Sequence, residues 1–136
     1  MAIDLETLKN ELNPEQFRAV STINGAILII AGAGSGKTRV ITYRIAHMLD
    51  SGIPQSQILA LTFTNKAAKE MQERIKDLTQ KKLQNLTVST FHAFGVKILR
   101  QDIDKLGWRD NFSIYVESVR SALIKECGRE LQFSPD

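Results

Sequence analysis

A parallel α/β sheet flanked by helices is the fold class this chain predicts, on three observations. Short apolar, β-branched runs alternate with segments whose apolar residues recur at helical spacing. Glycine, proline and polar capping residues fall between them, where the chain must turn. The order is strand then helix, three times over, which calls for parallel strands joined by helical crossovers and places function at the strands' C-terminal ends.

The elements follow in order. Asn13-Pro14-Glu15-Gln16 opens a helix: Asn13 suits the N-cap, Pro14 the first helical position and Gln16 the capping-box position. Phe17, Val20 and Ile23 form its apolar stripe. Ala26-Ile27-Leu28-Ile29-Ile30 predicts the first strand, apolar throughout like a strand buried on both faces. A glycine-rich turn leads to a helix from residue 37 to about 50, ended by Ser51-Gly52-Ile53-Pro54. The second strand is 58–63. Thr64-Asn65 can cap the next helix, 66 to about 78, with Ala67, Ala68, Met71 and Ile75 inward. A third strand over 86–90 enters a helix from 91 to about 106, stopped by Gly107. Beyond Trp108 the pattern loosens: 112–116 reads as extended and 117–131 as helical.

Composition narrows the function classes. With 136 residues, 43% of them hydrophobic, the chain can bury a core, and nothing in it suggests disorder, repeats or low complexity. A net charge of +3 permits a nucleic-acid partner but is too mild to imply one. Cys127 is the single cysteine, which excludes an intrachain disulfide and fits a reducing cytoplasm. Met1-Ala2-Ile3-Asp4-Leu5-Glu6 lacks the basic segment and apolar stretch of a signal peptide, and no apolar run is long enough to span a bilayer. A soluble cytoplasmic protein is expected.

The strongest chemical signal is the turn itself: Ala31-Gly32-Ala33-Gly34-Ser35-Gly36-Lys37-Thr38. Glycines let backbone N–H groups converge on phosphate oxygens, Lys37 can reach the terminal phosphates, the Thr38 hydroxyl can ligate Mg²⁺, and the following helix adds the positive end of its dipole. Ala31 stands where the general phosphate-loop pattern has glycine, but the preceding strand and following helix supply the expected context. A plain glycine turn would explain neither Lys37 nor Thr38. The expected ligand is a nucleoside triphosphate with Mg²⁺.

Other residues carry two readings on sequence alone. Gln16 either completes the capping box with Asn13 or uses its paired donor and acceptor on a base edge. Thr64 and Asn65 read first as helix caps and Phe63 as core. His92, between aromatics and with no Ser or Cys arranged around it, reads as a structural histidine without an acid–base role.

Three strand ends, residues 31–38, Thr62-Phe63-Thr64-Asn65-Lys66-Ala67-Ala68-Lys69-Glu70-Met71 and Ser89-Thr90-Phe91-His92-Ala93-Phe94, together with Leu12-Asn13-Pro14-Glu15-Gln16, resemble the N-terminal part of UvrD/Rep/PcrA-type superfamily-one DNA helicases. The resemblance runs from about Leu12 to about Ile114, its Rep members being the nearest-looking. It implies a RecA-like P-loop NTPase fold present as a partial motor domain. Residues 1–114 would form the N-terminal part of the first ATP-binding motor domain, and 115–136 the start of an inserted helical subdomain. It implies that Gln16 hydrogen-bonds adenine, that Arg39 lies near the nucleotide, and that Phe63, Thr64, Asn65, Lys66, Thr90, Phe91 and His92 contact single-stranded DNA near a single-strand/duplex junction. Hydroxyls, amides and helix N-termini suit phosphates, and an aromatic face stacks on any base.

Hydrolysis in P-loop motors also needs a strand-end acid for Mg²⁺ and water, and an arginine at the γ-phosphate. This chain has no Asp-Glu pair, and Tyr115-Val116-Glu117-Ser118-Val119-Arg120 departs from the acidic pattern expected there by resemblance. The expectation is therefore the ATP- and DNA-binding portion of a 3′-to-5′ helicase acting in DNA repair or replication, a piece of something longer. By itself it would bind ATP without hydrolysing it, and would self-associate through uncovered apolar surface. Two alternatives remain: a stand-alone nucleotide-sensing module, and a small P-loop phosphotransferase, which would need acceptor-site acids and an arginine-rich lid that the sequence lacks.

Overall fold

The computed structural model describes residues 5–133, so the outermost residues of the expected spans 1–114 and 115–136 lie outside it. The chain forms two compact units, Met1–Gly95 and Val96–Asp136. The first runs α1 (Leu5–Glu11), α2 (Pro14–Ser21), α3 (Lys37–Asp50), β1 (Leu59–Thr62), α4 (Asn65–Thr79) and β2 (Thr87–Thr90). Helix α5 (Phe91–Asp102) begins in this unit and continues into the second, where a 3-10 turn over Ile103–Leu106 and α6 (Glu117–Glu130) follow.

The class is α/β. Strands β1 and β2 pair in parallel, Leu59 opposite Thr87 through Thr62 opposite Thr90, with α4 as the crossover between them. Their buried apolar residues, Ala60 and Val88, meet Ala68, Met71 and Ile75 of α4 and Ile45 and Leu49 of α3 in one apolar cluster. A second cluster joins Leu8 of α1, Leu12 and Val20 to Val40 and Ala46 of α3, with Phe17 and Tyr43 packed against it. Helix α3 thus contributes side chains to both clusters.

Local chemistry sets the helix ends. Asn13 and Gln16 form the complete capping box: the Gln16 N–H donates to Asn13 Oδ1 at 2.8 Å and the Asn13 N–H donates to Gln16 Oε1 at 3.2 Å. Gly52 and Gly107 take left-handed backbone after α3 and the 3-10 turn, the conformation that made both legible as stops. Helix α1 carries none of these punctuation marks and was not expected.

One expected element is corrected. Residues 26–30 form no strand, and among the described residues only β1 and β2 pair. Leu28 and Ile30 are 85% and 89% exposed, so the run is not buried on two faces. A strand exists through its ladder, and here β1 and β2 pair with each other and neither pairs with 26–30. Residues 112–116, read as extended, lie in no helix or strand, and Val116 has extended backbone; the helix expected over 117–131 is α6, with Cys127 exposed on it.

The most deeply buried side chain of the sheet-side cluster is Ile75, with no exposed surface. Ile75→Ala should cost about 2–5 kcal/mol in urea unfolding, and Lys82→Ala on the surface less than about 0.5 kcal/mol. A loss at Ile75 of surface size would show the α4–sheet packing to be loose.

Candidate functional site

The phosphate loop is shaped by backbone that only glycine adopts readily. Gly34 and Gly36 have φ of 76° and 83°. At Gly36 a Cβ would also stand 2.9 Å from the Gln16 amide nitrogen, so a side chain there meets both strain and a neighbour. Ser35 closes the turn, its hydroxyl donating to the Gly32 carbonyl at 2.7 Å. Lys37 spans the loop, its ammonium donating to the carbonyls of Ala31 at 2.9 Å and Gly32 at 2.6 Å. Two of its three protons are so engaged, leaving one donor to direct at an anion.

Gly36 is the N-cap of α3, and no side chain caps this helix. Its first-turn N–H groups, the adjacent ammonium and the exposed Thr38 hydroxyl together fit a polyphosphate with its cation. Thr38 is the side chain suited to Mg²⁺.

Gln16 realises its capping reading and reaches further: Nε2 donates to the Ser35 carbonyl at 3.2 Å, joining α2 to the loop. The amide keeps a second proton and a second lone pair for another partner. Arg39 turns toward α1, where Nη2 donates to the Glu11 carbonyl at 2.9 Å and pairs with the Glu11 carboxylate at 3.5 Å. Its guanidinium stands 5.2 Å from the centre of the Tyr43 ring, and the Tyr43 hydroxyl donates to the same carboxylate.

The second group lies where β1 and β2 end in register. Phe63 and Phe91, each one residue past the final Thr62–Thr90 pair, stand with ring centres 5.9 Å apart and planes inclined by 52°. Phe63 is 87% exposed and Phe91 55%, so Phe63 is not a core residue. Thr64 and Thr90 act as caps: their hydroxyls accept from the N–H groups of Ala67 at 3.1 Å and Ala93 at 3.2 Å. Thr90 is buried, while Asn65, Lys66 and His92 are exposed beside the rings in sequence.

Residues 31–38 and Gln16 therefore meet at one place, and Phe63, Thr64, Thr90 and Phe91 cluster at the strand ends. Sequence reasoning missed Glu11, which holds Arg39 and Tyr43, and Arg44, which donates to three carbonyls around the end of α2. No local signal marks either, since their partners lie 21 to 32 residues away.

A glycine-rich loop running into a helix with no side-chain cap, in one unit with a parallel strand pair, is an α/β arrangement with the geometry of a P-loop. Residues 12–135 match the family model of the UvrD/REP helicase N-terminal domain, and the chain belongs to that family. It is 46% identical over 123 residues to the ATP-dependent DNA helicase PcrA of Staphylococcus aureus, covering 90% of this chain and 17% of that protein. Identity is 48% over 131 residues to the PcrA of Leuconostoc citreum, covering 95% and 18%, and 47% over 123 residues to that of Staphylococcus epidermidis, covering 90% and 17%. The chain spans less than a fifth of the length of these relatives. No helix among the described residues is long and apolar enough to cross a membrane.

The Glu11–Tyr43 contact carries a pH signature. Burial, then the hydrogen bond and charge of Glu11, raise the Tyr43 phenol above its ordinary 10.0 against the opposing influence of Arg39. A phenol raised by folding favours the native state while protonated, so its contribution is full below about pH 10 and is lost as pH rises through the folded value. The stability difference between wild type and Tyr43→Phe should narrow across about pH 9 to 11 in urea titrations. A constant difference would separate Tyr43 from Glu11 in solution.

Proposed function

We propose that this chain is the ATP- and single-stranded-DNA-binding portion of an ATP-dependent 3′-to-5′ DNA helicase. Residues 1–114 belong to the first RecA-like motor domain and 115–136 open an inserted helical subdomain. The observation that carries the reading is the exposed Phe63–Phe91 pair at the ends of parallel strands, in the same unit as the phosphate loop. Solvent-facing aromatic rings gain little from folding and mark contact surfaces, and bases stack on them without regard to sequence.

In this reading the N–H groups of residues 32–38 and Lys37 hold the phosphates, Thr38 takes Mg²⁺, Gln16 meets adenine and Arg39 lies at the nucleotide's edge. At the strand ends Phe63 and Phe91 stack on bases, while Asn65, Lys66 and His92 meet the strand alongside the helix starts that Thr64 and Thr90 cap. The names of the PcrA relatives support ATP and DNA as ligands. The chain lacks the Asp-Glu pair of P-loop motors, so ground-state binding of ATP is not converted into stabilisation of the transferring phosphoryl group. A cytoplasmic place in DNA repair or replication accords with this role.

Calorimetry with ATP and Mg²⁺ should register binding that Lys37→Ala weakens, and phosphate release should stay at background with or without single-stranded DNA. DNA-stimulated release abolished by Lys37→Ala would overturn the inactive reading. DNA binding should be weak and salt-sensitive, and Phe63→Ala should cost it about 1–3 kcal/mol in fluorescence anisotropy. Unchanged affinity would remove Phe63 from the DNA path.

The exposed run 26–30, which lines an open groove of about 620 Å³ against α2, supports self-association of the chain. Light scattering should show mass rising with concentration, and Leu28→Glu combined with Ile30→Glu should reduce it. A wild-type mass independent of concentration would contradict this.

A further inference from the structure

Helix α2 is held at both ends. At its start Gln16 donates to the Ser35 carbonyl of the phosphate loop at 3.2 Å. At its finish the Arg44 guanidinium donates through Nη1 to the carbonyls of Ala19 and Thr22, and through Nη2 to the Ile23 carbonyl at 3.3 Å. The end of a helix gathers carbonyls without intrahelical partners and carries the negative end of the dipole, so a guanidinium there satisfies both hydrogen bonding and charge. The side chains of Ser21 and Thr22 turn to the Arg18 carbonyl. The three carbonyls on Arg44 are thus bonded from outside α2 and its flanking residues.

Arg44 belongs to α3, seven residues after Lys37 and about 10 Å along the same axis. Helix α2 has eight residues and is about 12 Å long, so what holds one end governs the position of the other. We propose that Arg44 is a positioning residue for the nucleotide: by fixing the C-terminal end of α2 to α3, it sets where the Gln16 amide stands over the loop that α3 itself terminates. Without that tie, α2 keeps the Gln16–Ser35 bond and the apolar contacts of Phe17, Ala19 and Val20, which hold it against the core but leave its C-terminal end without a polar anchor on α3. Lysine at this position would keep the charge and lose the planar fork that reaches three acceptors at once.

The inference rests on the reading of Gln16 as the adenine contact, and its test separates the two. Calorimetry compares ATP with inorganic tripolyphosphate, which offers the phosphate loop the same anion with no base. Arg44→Lys should weaken ATP roughly fivefold to tenfold, the size of one hydrogen bond, and leave tripolyphosphate unchanged. Gln16→Ala should do the same, and the double variant should lose no more than either single one, because both act through one contact. Arg44→Gln provides the same comparison should lysine not be tolerated, and thermal melts establish that each variant is folded. A selective loss in Gln16→Ala without one at Arg44, or an equal loss of both ligands at Arg44, would overturn the positioning role alone. An unchanged ATP-to-tripolyphosphate ratio in Gln16→Ala would overturn the adenine reading, and this inference with it.

Discussion

Burial of α3 in two clusters is the constraint on which the first unit depends. Ile45 and Leu49 pack with β1, α4 and β2, while Val40 and Ala46 pack with α1 and α2. A helix engaged in both clusters cannot shift without opening both, so its N-terminus is held in place. That end is where Gly36 leaves the first-turn N–H groups uncapped and Lys37 bridges the loop. The loop's shape is therefore as firm as the packing around α3. The polar residues that leave this helix extend the same hold: Arg39 reaches α1 and Arg44 the end of α2.

The sheet end uses one device twice. A parallel strand runs to a threonine-capped helix, and the residue after the last strand pair is a phenylalanine. The threonine hydroxyls take up first-turn N–H groups, which lets each helix begin close to the end of its strand. The two rings there face water and meet each other instead of the core. Exposed aromatic surface and helix starts at the strands' C-terminal ends form a surface unlike the lysine-bridged cradle of the glycine-rich loop. The unit thus carries two kinds of exposed surface, one aromatic and one cationic, on one scaffold.

Residues 26–30 illustrate the limit of composition as a guide. Five apolar residues in a row meet the pattern of a buried strand, yet the run has no ladder, and Leu28 and Ile30 face solvent. Apolar side chains favour burial, but backbone N–H and C=O groups require partners of their own. The two demands are separate, and the second depends on which other strand lies alongside.

Sequence alone determined what neighbours a few residues apart decide. Asn13 and Gln16 form their box because a helix brings i and i+3 together whatever the rest of the chain does. Gly52 and Gly107 end their segments because left-handed backbone suits glycine anywhere, and the Gly34, Gly36 and Lys37 spacing specifies a loop before any packing exists. Tertiary structure decided the rest: that Phe63 is exposed against Phe91, that Arg39 and Tyr43 share Glu11, that Arg44 collects three distant carbonyls, and that 26–30 has no partner strand among the described residues. Each depends on residues far apart in the chain, and the energy of such a contact is set by how the elements dock, which no local pattern records.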